Sequence, residues 1–431
     1  MKTMLLLLPG LMAVTAMPLW AKPLITSSED TRARICLARQ DDAPRIVQAC
    51  DAALTDLRLT QNQRADMLVA RGDGYIWQNL HRQAEASYRE ATLVNPAEID
   101  AWNGLGWALW ELEGDQAAYE AFDHSLSIAA SVQGLAGKAG LARRMGQISN
   151  DKAREMFRAA LAIDPDYIWA VRELAWSHFE DDQFAEATAQ FEEALNIEPR
   201  DINARYGLGR SKLSLDQNEE ALAIFNDVLQ DSPQDFASLV YRIISLRKLD
   251  RNAQALRSSE RLIQDFPDRT SGYVQKSKSL LALERRHDAL LSFEQAEAAL
   301  GPNNTILYWY ADTLITDGQL DNALAAINRS LTLDGADFSD HLLKSYIALE
   351  MGNYAMARAA AEASLATGVE DPWAHYYIAI TLVHDGDVLA GLSRFDKAVA
   401  AGLPEDRVGA FASELVGAGK LVEATQLRLK Y

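Results

Sequence analysis

A small residue returns every 34 positions along most of this chain. Every step is 34 residues except one step of 35, which separates Ala118 from Ala153. The members of this column are Ala84, Ala118, Ala153, Ala187, Ala221, Ala255, Ala289, Ala323, Ala357 and Gly391. Helical amphipathicity repeats every 3.6 residues and cannot produce so long a period. The column therefore indicates one supersecondary unit copied end to end, which constrains the fold more than any other feature.

Three further columns keep the same register. Four residues after the small residue comes a large apolar residue, such as Tyr88 or Phe122, and twelve before it comes a second small residue, such as Gly72 or Gly106. Twelve positions after it comes a proline, at Pro96 and in four later units. Small residues let two helices approach closely, the large side chain fills the space beside them, and proline ends a helix. Each unit is therefore predicted to be two antiparallel helices.

These columns resemble the tetratricopeptide repeat family, in which a helix–turn–helix of 34 residues carries W-x2-L-G-x2-Y, then A-x3-F, then P. The segment Ala170–Pro199 contains A-V-R-E-L-A-W-S-H-F followed by A-T-A-Q-F, and Ala204–Pro233 contains A-R-Y-G-L-G followed by A-L-A-I-F. Extending the register outward reaches Cys50 and Thr425. The resemblance implies an all-α fold, a right-handed α-solenoid superhelix of about eleven to twelve antiparallel helix pairs.

The first residues have the pattern of a cleavable export signal. Lys2 precedes an apolar run from Met4 to Ala16, which is shorter than the ~20 residues that span a bilayer. A basic start, a short apolar segment and a small residue at a cleavage point are typical of a secretory signal peptide. We predict cleavage after Ala21, with Ala16 as the alternative, and no membrane-spanning segment in the exported chain.

The repeat register and the export signal together predict the domain organisation. Residues 1–21 form the signal peptide and residues 22–60 an atypical helix pair that caps the array at its N-terminal end. Residues 61–403 are the tandem repeats, and residues 404–431 form closing helices. Caps are expected because the terminal units of a solenoid would otherwise expose an apolar face.

Both cysteines of the chain, Cys36 and Cys50, fall in the first helix pair. A helical hairpin brings positions about a dozen apart into register, and a disulfide needs Cα atoms ~4.4–6.8 Å apart. In an oxidising compartment we expect the pair to form a disulfide, the alternative being two buried free thiols. A redox role is disfavoured because the chain has no Cys-x-x-Cys.

Composition and motifs exclude several function classes. The chain has 42 Lys and Arg against 61 Asp and Glu, a net charge of −19, which argues against nucleic acid and anionic lipid as partners. The sequence has no H-E-x-x-H, no zinc-type Cys/His spacing, no phosphate-binding glycine loop and no G-x-S-x-G nucleophile motif. We therefore expect a non-enzymatic protein with no catalytic residues, no metal and no cofactor.

The resemblance implies that the first helix of each pair lines a concave face on which ligands lie. The aromatic residues that it implies there are Trp107, Trp110, Trp169, Trp176, Phe179, Tyr206, Tyr308, Trp373 and Tyr376. The basic residues are Arg144, Arg172, Arg210, Arg247, Lys248 and Lys278. Two interpretations are open. The residues can form a basic, aromatic trough for an anionic or extended ligand, or the rings can pack between repeats while the cations pair with the abundant acids.

We expect a periplasmic or secreted protein-interaction scaffold that binds an extended peptide or a partner protein in its concave groove. Envelope assembly, secretion and polysaccharide export are the processes that the family association suggests. The alternative is a glycan-binding module in which Trp107, Trp110, Trp169, Trp176 and Trp373 stack on sugar rings. A third interpretation is a non-catalytic subunit whose catalytic partner is another chain.

Overall fold

The computed structural model describes residues 30–39 and 42–431, and in this part of the chain it consists of 24 helices and contains no strand. The predicted all-α fold of about twelve helix pairs is confirmed. The predicted signal peptide, residues 1–21, lies outside the described residues. The chain divides into two compact units, with the boundary between Pro199 and Arg200.

Ten helices belong to the first unit: α1 (Asp30–Ala38), α2 (Ala43–Ala53), α3 (Gln61–Ile76), α4 (His81–Val94), α5 (Ile99–Glu111), α6 (Asp115–Ile128), α7 (Val132–Arg144), α8 (Asn150–Ile163), α9 (Ile168–Glu180) and α10 (Phe184–Ile197). Fourteen belong to the second unit: α11 (Ile202–Ser214), α12 (Asn218–Asp231), α13 (Phe236–Lys248), α14 (Asn252–Asp265), α15 (Thr270–Leu281), α16 (Arg286–Leu300), α17 (Asn304–Thr316), α18 (Leu320–Ser330), α19 (Phe338–Glu350), α20 (Tyr354–Ala366), α21 (Pro372–His384), α22 (Val388–Ala400), α23 (Asp406–Gly417) and α24 (Leu421–Lys430). Among the described helices, none combines the length and the apolar character that crossing a membrane requires.

The odd-numbered helices form a continuous layer within each unit. Each helix packs on its partner in the pair, and each odd-numbered helix also contacts the next odd-numbered one, from α1 to α9 and from α11 to α23. The odd-numbered helices are the first helices of their pairs. Side chains on successive first helices can therefore lie next to one another although they are about 34 residues apart in the sequence.

The repeat columns form the core between the helices. All nine alanines of the 34-residue column are fully buried, and the rings of Tyr88 and Phe122 are at most 2% exposed. A Cβ placed on Gly72 would lie 2.6 Å from the Tyr88 ring, and one on Gly106 would lie 2.7 Å from the Phe122 ring. Glycine is therefore required where the aromatic ring of the second helix lies against the first helix.

A disulfide between Cys36 and Cys50 links α1 to α2, with a Cα–Cα distance of 4.8 Å. Both cysteines are fully buried and pack with Ile46 and with Met67 of α3. The cross-link therefore lies in the small apolar core that joins the first described helix pair to the next pair.

Candidate functional site

Three of the predicted tryptophans form one cluster in the first unit. The ring centroids of Trp107 and Trp110 on α5 are 5.3 Å apart in a stacked arrangement, and Trp169 on α9 contacts them edge-on at 4.8 and 5.7 Å. Trp107 also contacts the Phe122 ring at 5.2 Å. A Cβ on Gly140 of α7 would lie 2.7 Å from Trp169, so this glycine leaves room for the rings. The three indoles therefore pack between repeats, and each remains partly exposed.

The other predicted residues of the first unit also have neighbours in the structure. The Arg144 guanidinium lies 4.7 Å from the centre of the Trp110 ring and forms an ion pair with Asp115. Trp176 contacts the rings of Phe179 at 5.5 Å and Phe191 at 5.0 Å. Arg172, on α9 like Trp176, is partly buried. In this unit the aromatic side chains serve the packing of the repeats at least in part.

Arg247 and Lys278 are the predicted cations that the second unit leaves without an acidic partner. They lie on the successive first helices α13 and α15, and both are partly buried. Arg247 donates a hydrogen bond to Gln275 Oε1 at 3.2 Å, while its Nε is buried and has no hydrogen-bond partner in the described part of the chain. Burial lowers the pKa of Arg247 below its ordinary value. The guanidinium is therefore desolvated without charge compensation.

The Lys278 ammonium lies 3.3 Å from the centre of the Trp309 ring on α17. No carboxylate of the described residues lies within 4 Å of it. Burial and the charge of Arg247 lower the pKa of Lys278 to about 8, and Asp312 opposes this shift. Burial in turn raises the pKa of Asp312, while Lys278 lowers it. Two desolvated cations thus adjoin an indole on three successive first helices.

Aromatic side chains continue this arrangement on both sides. On α11, Arg210 lies 5.7 Å from the Tyr206 ring and 5.3 Å from the ring of Tyr241 on α13. On α17, Tyr308 contacts Trp309 edge-on at 5.3 Å. We call the surface that Tyr206, Arg210, Tyr241, Arg247, Lys278, Tyr308 and Trp309 share the basic aromatic face.

Near the C-terminal end, a cleft of about 300 Å³ has walls from α19, α21 and α23. Trp373 lies at this cleft with Arg407 5.1 Å from its ring centre, and Tyr377 and Glu350 line it as well. Tyr376 is only 5% exposed and contacts the rings of Phe395 and Phe411. Its ring therefore lies mainly in the core.

Sequence reasoning missed Tyr241, Trp309 and Asp312 although the repeat register contains a signal for them. Tyr241 and Trp309 are two repeats apart at the same position of the repeat, and Lys278 and Asp312 are one repeat apart. Comparing these columns would have placed all four on neighbouring first helices. The missed residues supply the ring under Lys278 and the nearest acidic group.

The protonation of Lys278 gives the basic aromatic face a measurable pH dependence. Because the folded-state pKa of about 8 lies below the ordinary value of 10.5, the unfolded chain binds this proton more tightly. The resulting destabilisation is complete below pH 8 and is relieved as the pH rises through 8 towards 10.5. After allowance for solvent screening of a partly exposed ammonium, we expect an effect of about 1 kcal/mol.

We therefore expect the free energy of unfolding of wild type to rise by about 1 kcal/mol relative to Lys278→Met between pH 7 and pH 10. Urea denaturation of both proteins at a series of pH values measures this difference, and the other titrating groups cancel. The same experiment with Lys248→Met is the control, because Lys248 is exposed and paired with Asp216. A wild type–Lys278→Met difference that does not change with pH would contradict the assignment.

Two family models described as tetratricopeptide repeat match the chain, one over residues 178–242 and the other over residues 69–131 and 274–338. Yeast Tom70 aligns with 93% of this chain and 96% of its own, at 13% identity and a TM-score of 0.53. A tetratricopeptide repeat protein from Parabacteroides merdae aligns over 58% and 98%, at 20% identity and a TM-score of 0.43.

The pilF protein of Pseudomonas aeruginosa aligns with 49% of this chain and 96% of its own, at 16% identity and a TM-score of 0.44. No curated protein matches the sequence. The likeness to Tom70 shows the fold alone. Together with the family models and the repeat columns it establishes the family: the chain is a tetratricopeptide repeat protein.

Proposed function

We propose that this chain is a scaffold that binds an extended acidic segment of a partner protein on the basic aromatic face. Tetratricopeptide repeats indicate a protein-interaction scaffold. The observation that carries the finer proposal is the pair Arg247 and Lys278, two partly buried cations on adjacent first helices with no carboxylate bound. A carboxylate from a partner would supply the missing counter-charge.

The surroundings of the two cations favour a peptide with alternating acidic and apolar side chains. A guanidinium binds a carboxylate through two parallel hydrogen bonds, and the free Nε of Arg247 leaves this mode open. The rings of Tyr241 and Trp309 lie beside the cations and offer apolar contact. First helices in contact from α11 to α17 provide a long surface for an extended segment.

The C-terminal cleft supports a second candidate function, glycan binding. Trp373 and Tyr377 supply aromatic faces there, and Glu350 and Glu414 supply carboxylates that accept hydrogen bonds from hydroxyl groups. Aromatic rings beside acidic side chains are suited to holding a sugar ring. This candidate uses other residues than the peptide site, so the two can be tested separately.

We also propose that the protein is exported to the periplasm or the medium and acts in envelope assembly, secretion or polysaccharide export. The N-terminal pattern at residues 1–21 and the Cys36–Cys50 disulfide support export, because disulfides persist in oxidising compartments. In the same proposal α1 and α2 form the N-terminal cap, and residues 404–431 form the C-terminal cap of the repeats at 61–403.

The peptide proposal predicts charge-dependent binding that needs Arg247 and Lys278. The probe is a fluorescein-labelled dodecapeptide that alternates glutamate with leucine, and its control has glutamine in place of glutamate. We expect the glutamate peptide to bind wild type and Arg247→Gln/Lys278→Gln to weaken it about tenfold or more, the loss of at least one charge-assisted hydrogen bond. Fluorescence anisotropy measures both affinities.

Lys248→Gln is the matched control, because Lys248 lies beside Arg247 on α13 but is exposed and paired with Asp216. Unchanged affinity is expected for this variant. Equal binding of the glutamine peptide, or full binding by Arg247→Gln/Lys278→Gln, would refute the acidic-peptide proposal. Binding of a neutral oligosaccharide that Trp373→Ala abolishes and Arg247→Gln/Lys278→Gln retains would favour the glycan candidate.

A further inference from the structure

A separate basic cavity lies on α13 away from the basic aromatic face. It has a volume of about 460 Å³ and lies between α12, α13 and α14. Arg242 of α13 and Arg257 and Arg261 of α14 line it. Arg242 precedes Arg247 by five residues, which is about 140° around a helix, so the two arginines point to different sides of α13.

The positive charge of this cavity is not balanced by its neighbours. Arg242 is partly buried, and its one side-chain hydrogen bond is a long one of 3.4 Å to the Ser258 hydroxyl. Burial and the charge of Arg261 lower the pKa of Arg242. Among the described residues Arg257 forms no ion pair, and Arg261 has only Asp265, at 3.4 Å on the same helix. Three guanidinium groups thus share one carboxylate.

Other buried arginines of this chain show what compensation looks like. Arg154 forms ion pairs with Asp151 and Asp181, and Arg205 binds Asp227 and Asp231 at 2.9 Å each. Each of these guanidinium groups is surrounded by two acids. Arg242 lacks any such partner in a chain with 61 acidic residues. An unbalanced charge at a cavity is what a site for an anion requires.

The apolar part of the cavity wall restricts the kind of anion. Leu229, Leu239 and Leu262 line the cavity together with the arginines. The volume falls within the range of about 300–1,000 Å³ that is typical of small-molecule sites. The arginines match an oxyanion that accepts paired hydrogen bonds, such as a phosphate ester or a carboxylate. The leucines match an apolar body attached to that group.

We propose that the cavity at Arg242, Arg257 and Arg261 binds a small anionic molecule that joins a phosphate or carboxylate group to an apolar body. This site lies outside the basic aromatic face and does not depend on the peptide function. The arginines bind the oxyanion, and the leucines contact the apolar part. Because the chain as a whole is strongly acidic, general electrostatic attraction does not favour anions elsewhere on the surface.

Isothermal titration at constant ionic strength tests the proposal with three probes on the full chain: phenyl phosphate, phthalate and inorganic phosphate. We expect phenyl phosphate or phthalate to bind wild type more tightly than inorganic phosphate. Tighter binding of phenyl phosphate points to a phosphate ester as the natural ligand, and tighter binding of phthalate points to a dicarboxylate. A dissociation constant above ~10 mM for both aromatic probes would overturn the proposal.

Three variants locate the binding. Arg242→Gln is expected to weaken the better aromatic probe about tenfold. Arg257→Gln is expected to weaken it as well, and because Arg257 is exposed this change leaves the fold intact. Arg286→Gln removes an exposed arginine of α16 outside the cavity and is expected to change nothing. Full binding by both cavity variants, or inorganic phosphate that binds as tightly as the aromatic probes, would overturn the proposed site.

Discussion

Phe122→Ala is expected to lower the free energy of unfolding of the first unit by about 3–5 kcal/mol, the usual cost of deleting a buried aromatic ring. The Phe122 side chain is fully buried. Its ring lies where a Cβ on Gly106 of the same repeat, or on Gly137 of the next repeat, would collide with it. Because both flanking residues are glycines, no neighbouring side chain can move into the space that alanine leaves. The cavity should therefore persist at nearly its full size.

Urea denaturation followed by tryptophan fluorescence measures this loss directly, since Trp107 contacts the Phe122 ring at 5.2 Å. Leu93→Ala is the matched control, because Leu93 belongs to the same unit but is 79% exposed. We expect the control to change the free energy of unfolding by no more than about 0.5 kcal/mol. A loss below about 1 kcal/mol for Phe122→Ala would show that the glycine-lined site collapses, contrary to the rigid packing inferred here.

The sequence predicts the contact between Gly106 and Phe122 because both residues belong to columns that recur every 34 positions. It does not predict the part played by Gly137 or by Gly140, since neither contact repeats along the chain. Gly140 leaves room for Trp169, and this spacing depends on the single step of 35 residues near Ala153. Periodicity thus predicts what every repeat shares, while contacts peculiar to one pair of repeats require the coordinates.

The candidate sites follow the same division. Family resemblance directed attention to the first helices, and the structure places Arg247 and Lys278 together there. It could not indicate that these two cations lack acidic partners, because pairing depends on side-chain positions rather than on residue type. Arg242 was not singled out at all, since its site combines side chains of α12, α13 and α14. An arginine in a chain rich in acids looks paired until its neighbours are known.

Removing the Cys36–Cys50 disulfide is expected to destabilise α1 and α2 by about 3 kcal/mol, the loop-closure entropy of a loop of about 15 residues. The change can be made by reduction or by Cys36→Ser/Cys50→Ser. We expect amide hydrogens of α1 and α2 to exchange about a hundredfold faster, which is 3 kcal/mol expressed as a ratio of rates. Hydrogen exchange resolved by segment measures this effect.

The loss should remain local, because stability in a repeat array comes from each repeat and its contacts with its neighbours. Protection in α5 and α9 is therefore expected to stay unchanged while that in α1 and α2 falls. Adding reductant to Cys36→Ser/Cys50→Ser provides the control, since no further change can occur in a chain without thiols. Equal exchange of α1 and α2 with and without the disulfide would mean that packing on Met67 of α3 is sufficient to hold the pair. The cross-link would then not be what stabilises the proposed N-terminal cap.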